Sequence, residues 1–251
     1  MTDGAHSLLV LGGSLSKNAR PRVERFGSLV FAAATGNAPD QYPKETPFED
    51  SIALVEGPEL VAALVADAHF GAEASLQIAT VFGELLVGSS AATTRAYGSD
   101  LMQRLARSVS DRMADGDRSA STLAAFVRVG SETLWMSYGD SYVLRVDRDA
   151  GRLEQLSTPN ARYLGSSPTD ATFADALEVG HIGLSRNELL LLATDGIEPD
   201  ESGLEWNELP GFFEVDLLAA VTALVTRAAD VEHGGGGDNL SIVAAGSAAR
   251  R

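Results

Sequence analysis

Short apolar runs rich in valine, leucine and isoleucine recur along this chain, and many of them end at a glycine or an acidic residue. This pattern is typical of buried β-strands. The runs that we predict as strands are Leu8–Leu11, Leu29–Ala33, Ile52–Val55, Leu60–Ala66, Thr122–Val129, Thr133–Tyr138, Tyr142–Val146, Leu153–Leu156, Glu188–Thr194 and Leu240–Ala244. The four runs between Thr122 and Leu156 are closely spaced and separated by turn residues, which predicts an antiparallel meander.

Apolar residues recur at helical spacing in Ala72–Val87 and in Val215–Val231, and we predict a further helix over Ser99–Met113. These helices do not alternate one by one with strands, so the order favours an α+β fold over repeated βαβ units. The polar segment Asn160–Glu178 predicts a loop or a small flap. Because no repeat or long linker interrupts the chain, we expect one domain over residues 1–251, with a core at about 25–246.

Composition excludes several classes of protein. The chain has no cysteine, which excludes a disulfide framework, a thiolate metal site and a cysteine nucleophile. Its 19 basic and 35 acidic residues give a net charge of −16, which repels nucleic acid and anionic lipid, so we expect neither as a partner. No targeting segment is visible, and no apolar stretch approaches the roughly 20 residues of a membrane span. We therefore expect a cytoplasmic protein, and a monomer.

Acidic residues lie at the ends of the most apolar predicted strands. Asp50 precedes one strand, Asp67 and Asp195 each end one, and Asp238 precedes the last. Each alone is compatible with a turn or cap aspartate. Carboxylates repel one another, so four that converge imply a cation. Oxygen ligands without cysteine suit Mg²⁺ or Mn²⁺ rather than Zn²⁺.

The same segments resemble the signature blocks of the metal-dependent protein phosphatases of type 2C, the PPM family. The resembling segments are Phe48-Glu49-Asp50-Ser51, Asp67-Ala68-His69-Phe70-Gly71, Ala120-Ser121-Thr122, Tyr138-Gly139-Asp140-Ser141, Ala193-Thr194-Asp195-Gly196 and Gly237-Asp238-Asn239-Leu240-Ser241. They occur in the order of the family and cover roughly residues 25–246. Any one block is a weak signal, whereas the ordered set is specific.

The resemblance implies both a fold and an activity. The fold is a four-layer α-β-β-α sandwich in which helices flank two antiparallel sheets. The activity is hydrolysis of phosphoserine and phosphothreonine monoesters in proteins, through a bridging water that two Mn²⁺ or Mg²⁺ ions activate. The implied partner is a phosphorylated protein substrate, and the implied role is signal transduction.

The resemblance also implies roles for individual residues. Asp67 would bridge both ions, and Asp195, Asp238 and the backbone carbonyl of Ala68 would be further metal ligands. Glu49 and Asp50 would act largely through metal-bound waters. His69 would be the general acid that protonates the departing serine or threonine oxygen. The other interpretation of His69 is a surface histidine at the start of a helix.

Asp140 matches the position that holds a third, weaker metal ion in several family members, and its alternative interpretation is a turn aspartate. The other third-metal carboxylate of the family falls at Pro199, with Glu198 and Asp200 on either side. This departure argues against a third ion, unless one of the two neighbours substitutes.

The residues expected to bind the substrate phosphate also depart from the family pattern. Many members place an arginine where this chain has Glu45, and the nearest cation is Lys44, which we assign to the substrate phosphate, with Arg162 as an alternative. Phe70 replaces a glycine and Tyr142 replaces an arginine. These departures leave two rivals: a weak or inactive phosphatase-fold protein that binds phosphoproteins or a regulatory partner, and a metal phosphatase that acts on small phosphomonoesters.

Overall fold

Two six-stranded antiparallel sheets form the centre of the computed structural model. The structure describes residues 5–17, 19–36, 44–87, 119–165 and 175–247, together with residues 100, 103, 104 and 107. The strands are β1 (His6–Val10), β2 (Arg22–Phe26), β3 (Leu29–Ala34), β4 (Ser51–Glu56), β5 (Leu60–Ala66), β6 (Ala68–His69), β7 (Ala120–Ser121), β8 (Leu123–Val129), β9 (Glu132–Tyr138), β10 (Tyr142–Asp147), β11 (Arg152–Gln155), β12 (Glu178–Ile182), β13 (Glu188–Ala193) and β14 (Leu240–Gly246).

The first sheet has the order β1-β4-β5-β8-β9-β12, and the second has the order β11-β10-β13-β14-β3-β2. The short strands β6 and β7 form a separate pair. The helices are α1 (Glu73–Val87), α2 (Pro199–Ser202), α3 (Leu209–Phe212) and α4 (Leu217–Ala228), with 3₁₀ turns at Asp195–Ile197 and Val231–His233. Among the described residues, no helix combines the length and the apolar character that a membrane crossing requires.

Apolar side chains form three clusters, each of which lies between two layers of secondary structure. One apolar cluster joins α1 to the first sheet, a second joins α4 to the second sheet, and a third lies between the two sheets. In β3, for example, Val30 packs on the α4 side and Phe31 packs between the sheets. Because both faces of the central strands are covered, these strands are continuous apolar runs and do not alternate with polar residues. The predicted α+β sandwich of two antiparallel sheets flanked by helices is confirmed.

The predicted meander is wrong at its middle connection. β8 and β9 pair in the first sheet, whereas β10 and β11 pair in the second. The chain therefore crosses between the sheets at residues 139–141. Gly139 makes this turn with φ of 96°, and a β-carbon there would lie 2.6 Å from the Thr122 side chain. The close spacing of strands along the chain does not reveal which sheet each one joins.

Besides the two-residue strands β6 and β7, two strands were not predicted from the sequence, and both lie at the edges of the large sheets. Arg22–Phe26 forms β2, and Glu178–Ile182 forms β12, which begins at the last residue of the segment predicted as a loop. An edge strand exposes polar side chains and so carries a weak apolar signal. The predicted helix Ser99–Met113 lies largely outside the described residues, as do residues 166–174 of the predicted flap.

Candidate active site

Three aspartates converge where strands of the two sheets end. Asp67 follows β5 of the first sheet, Asp195 follows β13 of the second, and Asp140 lies in the turn that crosses between them. Each offers a carboxylate oxygen, and these oxygens all lie within 4.8 Å of one another. We call these three residues the carboxylate cluster. The sequence analysis named all three as candidate metal ligands.

The carboxylate cluster has unsatisfied oxygen atoms. Asp67 Oδ2, Asp140 Oδ1 and Asp195 Oδ1 are buried and have no hydrogen-bond partner among the described residues. Buried polar atoms are normally paired, because an unpaired one loses its hydration without compensation. A hard divalent cation prefers such oxygen ligands, so the residues present fit Mn²⁺ or Mg²⁺.

Electrostatics support the same interpretation. Burial, followed by the charges of Asp140 and Asp50, raises the pKa of Asp195 to about 8. Burial, followed by the charges of Asp195 and Asp50, raises the pKa of Asp67 well above its usual range. Burial also raises the pKa of Asp140. The protein therefore holds these carboxylates where only a cation makes their joint ionisation favourable.

Asp67 is fixed by the short pair of strands that follows it. Its backbone N–H donates to Thr122 Oγ1 at 3.3 Å, and its carbonyl accepts from the Thr122 N–H at 2.9 Å and from Ser121 Oγ at 2.6 Å. The next residue, Ala68, is buried in β6 and pairs with Ser121. These contacts hold the Asp67–Ala68 segment at the carboxylate cluster.

Asp50 lies beside the carboxylate cluster. It directly precedes β4 and is completely buried. Its Oδ2 accepts a hydrogen bond from Thr194 Oγ1 at 2.9 Å, and its Oδ1 has no partner among the described residues. Burial raises the pKa of Asp50, and the nearby Lys44 opposes that shift. Asp50 thus adds negative charge at the site from the first sheet.

Asp238 is outside the three-residue cluster and is paired with Lys44. The Lys44 ammonium contacts Asp238 Oδ1, and both side chains are mostly buried. The Lys44 charge also partly opposes the rise in the pKa values of Asp50, Asp67 and Asp195. Lys44, which was predicted to bind the substrate phosphate, therefore contacts Asp238, which was predicted to bind metal, beside the carboxylate cluster.

Glu49 contacts backbone groups of the segment that carries Lys44. Its side chain is buried, and Oε1 accepts from the Glu45 N–H at 2.7 Å and from the Thr46 N–H at 3.2 Å. The sequence analysis expected Glu49 to act through metal-bound waters. In the structure this carboxylate shapes the loop that leads from Lys44 to β4.

His69 lies next to Asp67 at the end of β6. Its Nε2 is 3.6 Å from Asp67 Oδ2, beyond hydrogen-bond distance, and has no hydrogen-bond partner among the described residues. The imidazole is therefore placed beside the carboxylate cluster with a nitrogen available to a ligand. Phe70, the following residue, is 52% exposed and adopts a left-handed conformation with φ of 62°.

Two tyrosines contact the site through hydrogen bonds and ring contacts that were not predicted from the sequence. The Tyr163 hydroxyl donates to Asp140 Oδ2 at 3.0 Å, and its ring packs edge-to-face on His69. The Tyr142 hydroxyl donates to Glu198, and its ring lies 5.1 Å from the Trp206 ring. Tyr142 was noted only as a replacement for arginine. No motif marks Tyr163, because it comes from a loop whose path is set by tertiary contacts.

The site consists of carboxylates that converge between two antiparallel sheets, and a site of this kind suits hard divalent cations. The profile of the family described as Protein phosphatase 2C matches residues 40–233, and the chain belongs to this family. This membership confirms the family and the enzyme class, a protein phosphatase, that the sequence predicted. A search of the curated proteins gives no match.

Solved structures share the fold. The serine/threonine phosphatase of S. agalactiae is 16% identical, with a TM-score of 0.70 over 88% of this chain and 99% of that one. The catalytic domain of PstP, in complex with two manganese ions, is 17% identical, with a TM-score of 0.65 over 88% and 98% of the two chains. RsbX, in complex with magnesium, is 11% identical, with a TM-score of 0.60 over 91% and 100%. The manganese of the second structure and the magnesium of the third agree with the predicted Mn²⁺ or Mg²⁺.

Proposed function

We propose that this protein hydrolyses phosphoserine and phosphothreonine monoesters in proteins with the help of two bound Mn²⁺ or Mg²⁺ ions. The observation that carries this proposal is the convergence of Asp67, Asp140 and Asp195, whose unpartnered oxygens lie within 4.8 Å of one another. Support for the substrate class comes from family membership and from the shared fold with serine/threonine phosphatases.

The carboxylate cluster would hold the ions, and Asp50 and Asp238 would add negative charge beside it. The chemistry that such ions supply when bound is activation of a water molecule and neutralisation of charge on the phosphoryl group. Asp67 and Asp195 lie at the ends of buried strands and Asp140 lies in the turn between the sheets, so these carboxylates would hold the ions with little rearrangement when substrate arrives. Asp50, held by Thr194, has the same rigidity.

His69 would act on the leaving group. Its unpartnered Nε2 lies beside the cluster, where the oxygen of a phosphorylated serine or threonine would depart. A protonated imidazole donates its proton to that oxygen as the P–O bond breaks, which avoids release of an alkoxide. An aryl oxygen leaves readily without this help.

Lys44 would attract the substrate phosphate. The protein carries a net charge of −16, so a phosphate dianion approaches an acidic body. Lys44 is the cation whose charge reaches Asp50, Asp67 and Asp195. Its ammonium binds phosphate as a point charge, without the two parallel hydrogen bonds of an arginine. We expect a correspondingly high KM for small phosphate esters.

The proposal is tested by hydrolysis of an aryl phosphate and of a phosphothreonine peptide, each with and without Mn²⁺. The wild-type protein should require Mn²⁺, and Asp67→Asn should remove turnover without loss of the folded state. Asp149→Asn is the matched control, because Asp149 is an exposed aspartate in the β10–β11 turn. Circular dichroism of both variants verifies the fold.

Other outcomes would separate the alternatives. Mn²⁺ binding without turnover would favour the inactive phosphatase-fold protein that binds phosphoproteins. Turnover of the aryl phosphate but of no phosphopeptide would favour an enzyme for small phosphomonoesters. Full activity of Asp67→Asn would contradict the assignment of the site.

A further inference from the structure

Tyr163 contacts two functional groups at once. Its ring packs edge-to-face on the His69 imidazole, with 4.7 Å between ring centroids and an interplanar angle of 89°. Its hydroxyl donates to Asp140 Oδ2 at 3.0 Å. One side chain therefore links the proposed general acid to a member of the carboxylate cluster.

The backbone around Tyr163 is anchored on both sides. The Asn160 N–H donates to the Gly139 carbonyl at 2.9 Å, next to Asp140. Leu164 is fully buried and exchanges two backbone hydrogen bonds with Ser121, at 2.7 and 2.8 Å. Ser121 belongs to β7, which pairs with the β6 strand that carries His69. These hydrogen bonds therefore hold the Tyr163 backbone in place relative to the strand that carries His69.

His69 needs an external restraint on its ring. Its Nε2 has no hydrogen-bond partner among the described residues, and its contact with Asp67 Oδ2 is 3.6 Å long. No hydrogen bond at Nε2 from the described residues therefore fixes the ring, whereas the edge-to-face contact with Tyr163 does restrain it. Edge-to-face aromatic contacts prefer a definite geometry, and a misplaced catalytic group loses rate steeply.

We propose that Tyr163 is a positioning residue that holds the His69 imidazole in the orientation for proton donation and, through its hydroxyl, fixes Asp140 with Oδ1 free to bind a cation. This inference rests on the proposed function, because it concerns the same leaving group and the same site. The ring and the hydroxyl have separable tasks. Tyr163→Phe keeps the ring contact and removes the hydrogen bond to Asp140, whereas Tyr163→Leu removes both.

The first test compares leaving groups. Tyr163→Leu should lower kcat on a phosphoserine peptide by about tenfold and on an aryl phosphate by less than about threefold, because only the alkyl oxygen needs the proton from His69. Tyr163→Phe should keep the wild-type ratio of the two rates and weaken Mn²⁺ binding, measured by calorimetry. Phe212→Leu is the matched control, since it removes a partly buried aromatic ring that packs in the apolar cluster of α4 and should leave the ratio unchanged.

A double variant shows whether Tyr163 acts through His69. If it does, then at saturating Mn²⁺, where the lost hydrogen bond to Asp140 no longer limits metal binding, His69→Ala combined with Tyr163→Leu loses no more alkyl-phosphate turnover than His69→Ala alone. Additive losses, or equal losses on both substrates in Tyr163→Leu, would overturn the proposal and leave Tyr163 with a structural role only.

A spectroscopic measurement tests the contact without activity. The chain has four histidines, so the His69 ring signals can be assigned by comparison with His69→Ala in a proton–carbon NMR spectrum. The ring current of the tyrosine should shift these signals in the wild type and in Tyr163→Phe, and the shift should disappear in Tyr163→Leu. If the shift is present and no substrate turns over, the proposed function fails and the positioning contact stands. If the shift is absent in the wild type, the positioning proposal fails on its own.

Discussion

Lys44 and Asp238 form an ion pair with each other. Lys44 lies in the segment that leads to β4 of the first sheet, and Asp238 lies two residues before β14 of the second. The ammonium therefore neutralises one of the predicted metal ligands and partly offsets the charge of Asp50, Asp67 and Asp195. Under the proposed function, an internal cation at this position would compete with a metal ion for Asp238 and would also attract the substrate phosphate.

Replacement of Lys44 should therefore change metal and substrate binding in opposite directions. Lys44→Met releases Asp238 and should tighten Mn²⁺ binding by about three- to tenfold, as expected for loss of a partly buried like charge. The same variant should raise the KM for an aryl phosphate. Calorimetry gives the Mn²⁺ affinity, and steady-state kinetics give the KM. Lys17→Met, at the only other lysine and in an exposed position, should change neither. Weaker Mn²⁺ binding in Lys44→Met would refute this account.

The raised pKa of Asp195 predicts how the stability of the metal-free protein depends on pH. The unfolded chain releases this proton near pH 4, as an ordinary aspartate does, whereas the folded site retains it up to about pH 8. Between these values the folded state binds more protons, so the free energy of unfolding falls as pH rises. Urea unfolding with a chelator, at about pH 5 to about pH 8, should show this fall.

The control and the contradicting result follow from the same linkage. Asp195→Asn removes one of the buried carboxyls with a raised pKa and should make the pH dependence shallower, whereas Asp149→Asn should retain the wild-type slope. Saturating Mn²⁺ should reverse the trend, because the ion binds the ionised carboxylates. A stability that rises with pH in the chelated wild type would mean that the carboxylates do not repel one another in solution.

Much of the fold could be predicted because the central strands are apolar on both faces. Leu60–Ala66 has the predicted bounds in the structure, since nearly every residue of β5 is buried. The helix predicted over Ala72–Val87 begins one residue later, at Glu73. The edge strand β2 could not be predicted in this way, because its charged side chains are exposed and interrupt the apolar signal.

The carboxylate cluster was predictable for a different reason. Asp67 and Asp195 each follow a strongly apolar strand, so their position at a strand end is visible in the sequence. The contacts of Tyr163 were not visible, because they depend on the pairing of Leu164 with Ser121, which is 43 positions away in the numbering. The hydrogen bonds that Glu49 accepts from nearby backbone amides were also not predicted. The sequence does not show which of the adjacent carboxylates, Glu49 or Asp50, accepts hydrogen bonds from the backbone.

Glu49 should tolerate glutamine better than alanine. Glutamine keeps a side-chain oxygen for the N–H groups of Glu45 and Thr46, whereas alanine leaves both donors without their acceptor. We expect Glu49→Ala to lower the free energy of unfolding by about 1–3 kcal/mol and Glu49→Gln to lower it by less than about 1 kcal/mol. Urea unfolding measures both values. If the two variants lose stability equally but Glu49→Gln loses Mn²⁺ affinity, Glu49 acts through its charge, as the family resemblance implies.

Phe70 should be the source of backbone strain beside the site. It is the one non-glycine residue with positive φ among the described ranges, and it follows His69 directly. A side chain in the left-handed region costs about 1–2 kcal/mol, which glycine does not incur. Phe70→Gly and Phe70→Ala both remove the ring, so lost ring contacts cancel in the comparison. Glycine loses part of this advantage because it is more flexible in the unfolded chain. We therefore expect the free energy of unfolding of Phe70→Gly to be about 1 kcal/mol higher than that of Phe70→Ala.

The same pair of variants separates the strain from a role of the exposed ring. If the half-exposed ring contacts the protein part of a substrate, both variants should raise the KM for a phosphopeptide by a similar factor and leave the KM for an aryl phosphate unchanged. If instead the left-handed backbone is what matters at the site, the glycine variant should keep wild-type kinetics on both substrates, because glycine adopts φ of 62° without strain. An alanine variant at least as stable as the glycine variant would show that residue 70 is not strained in solution.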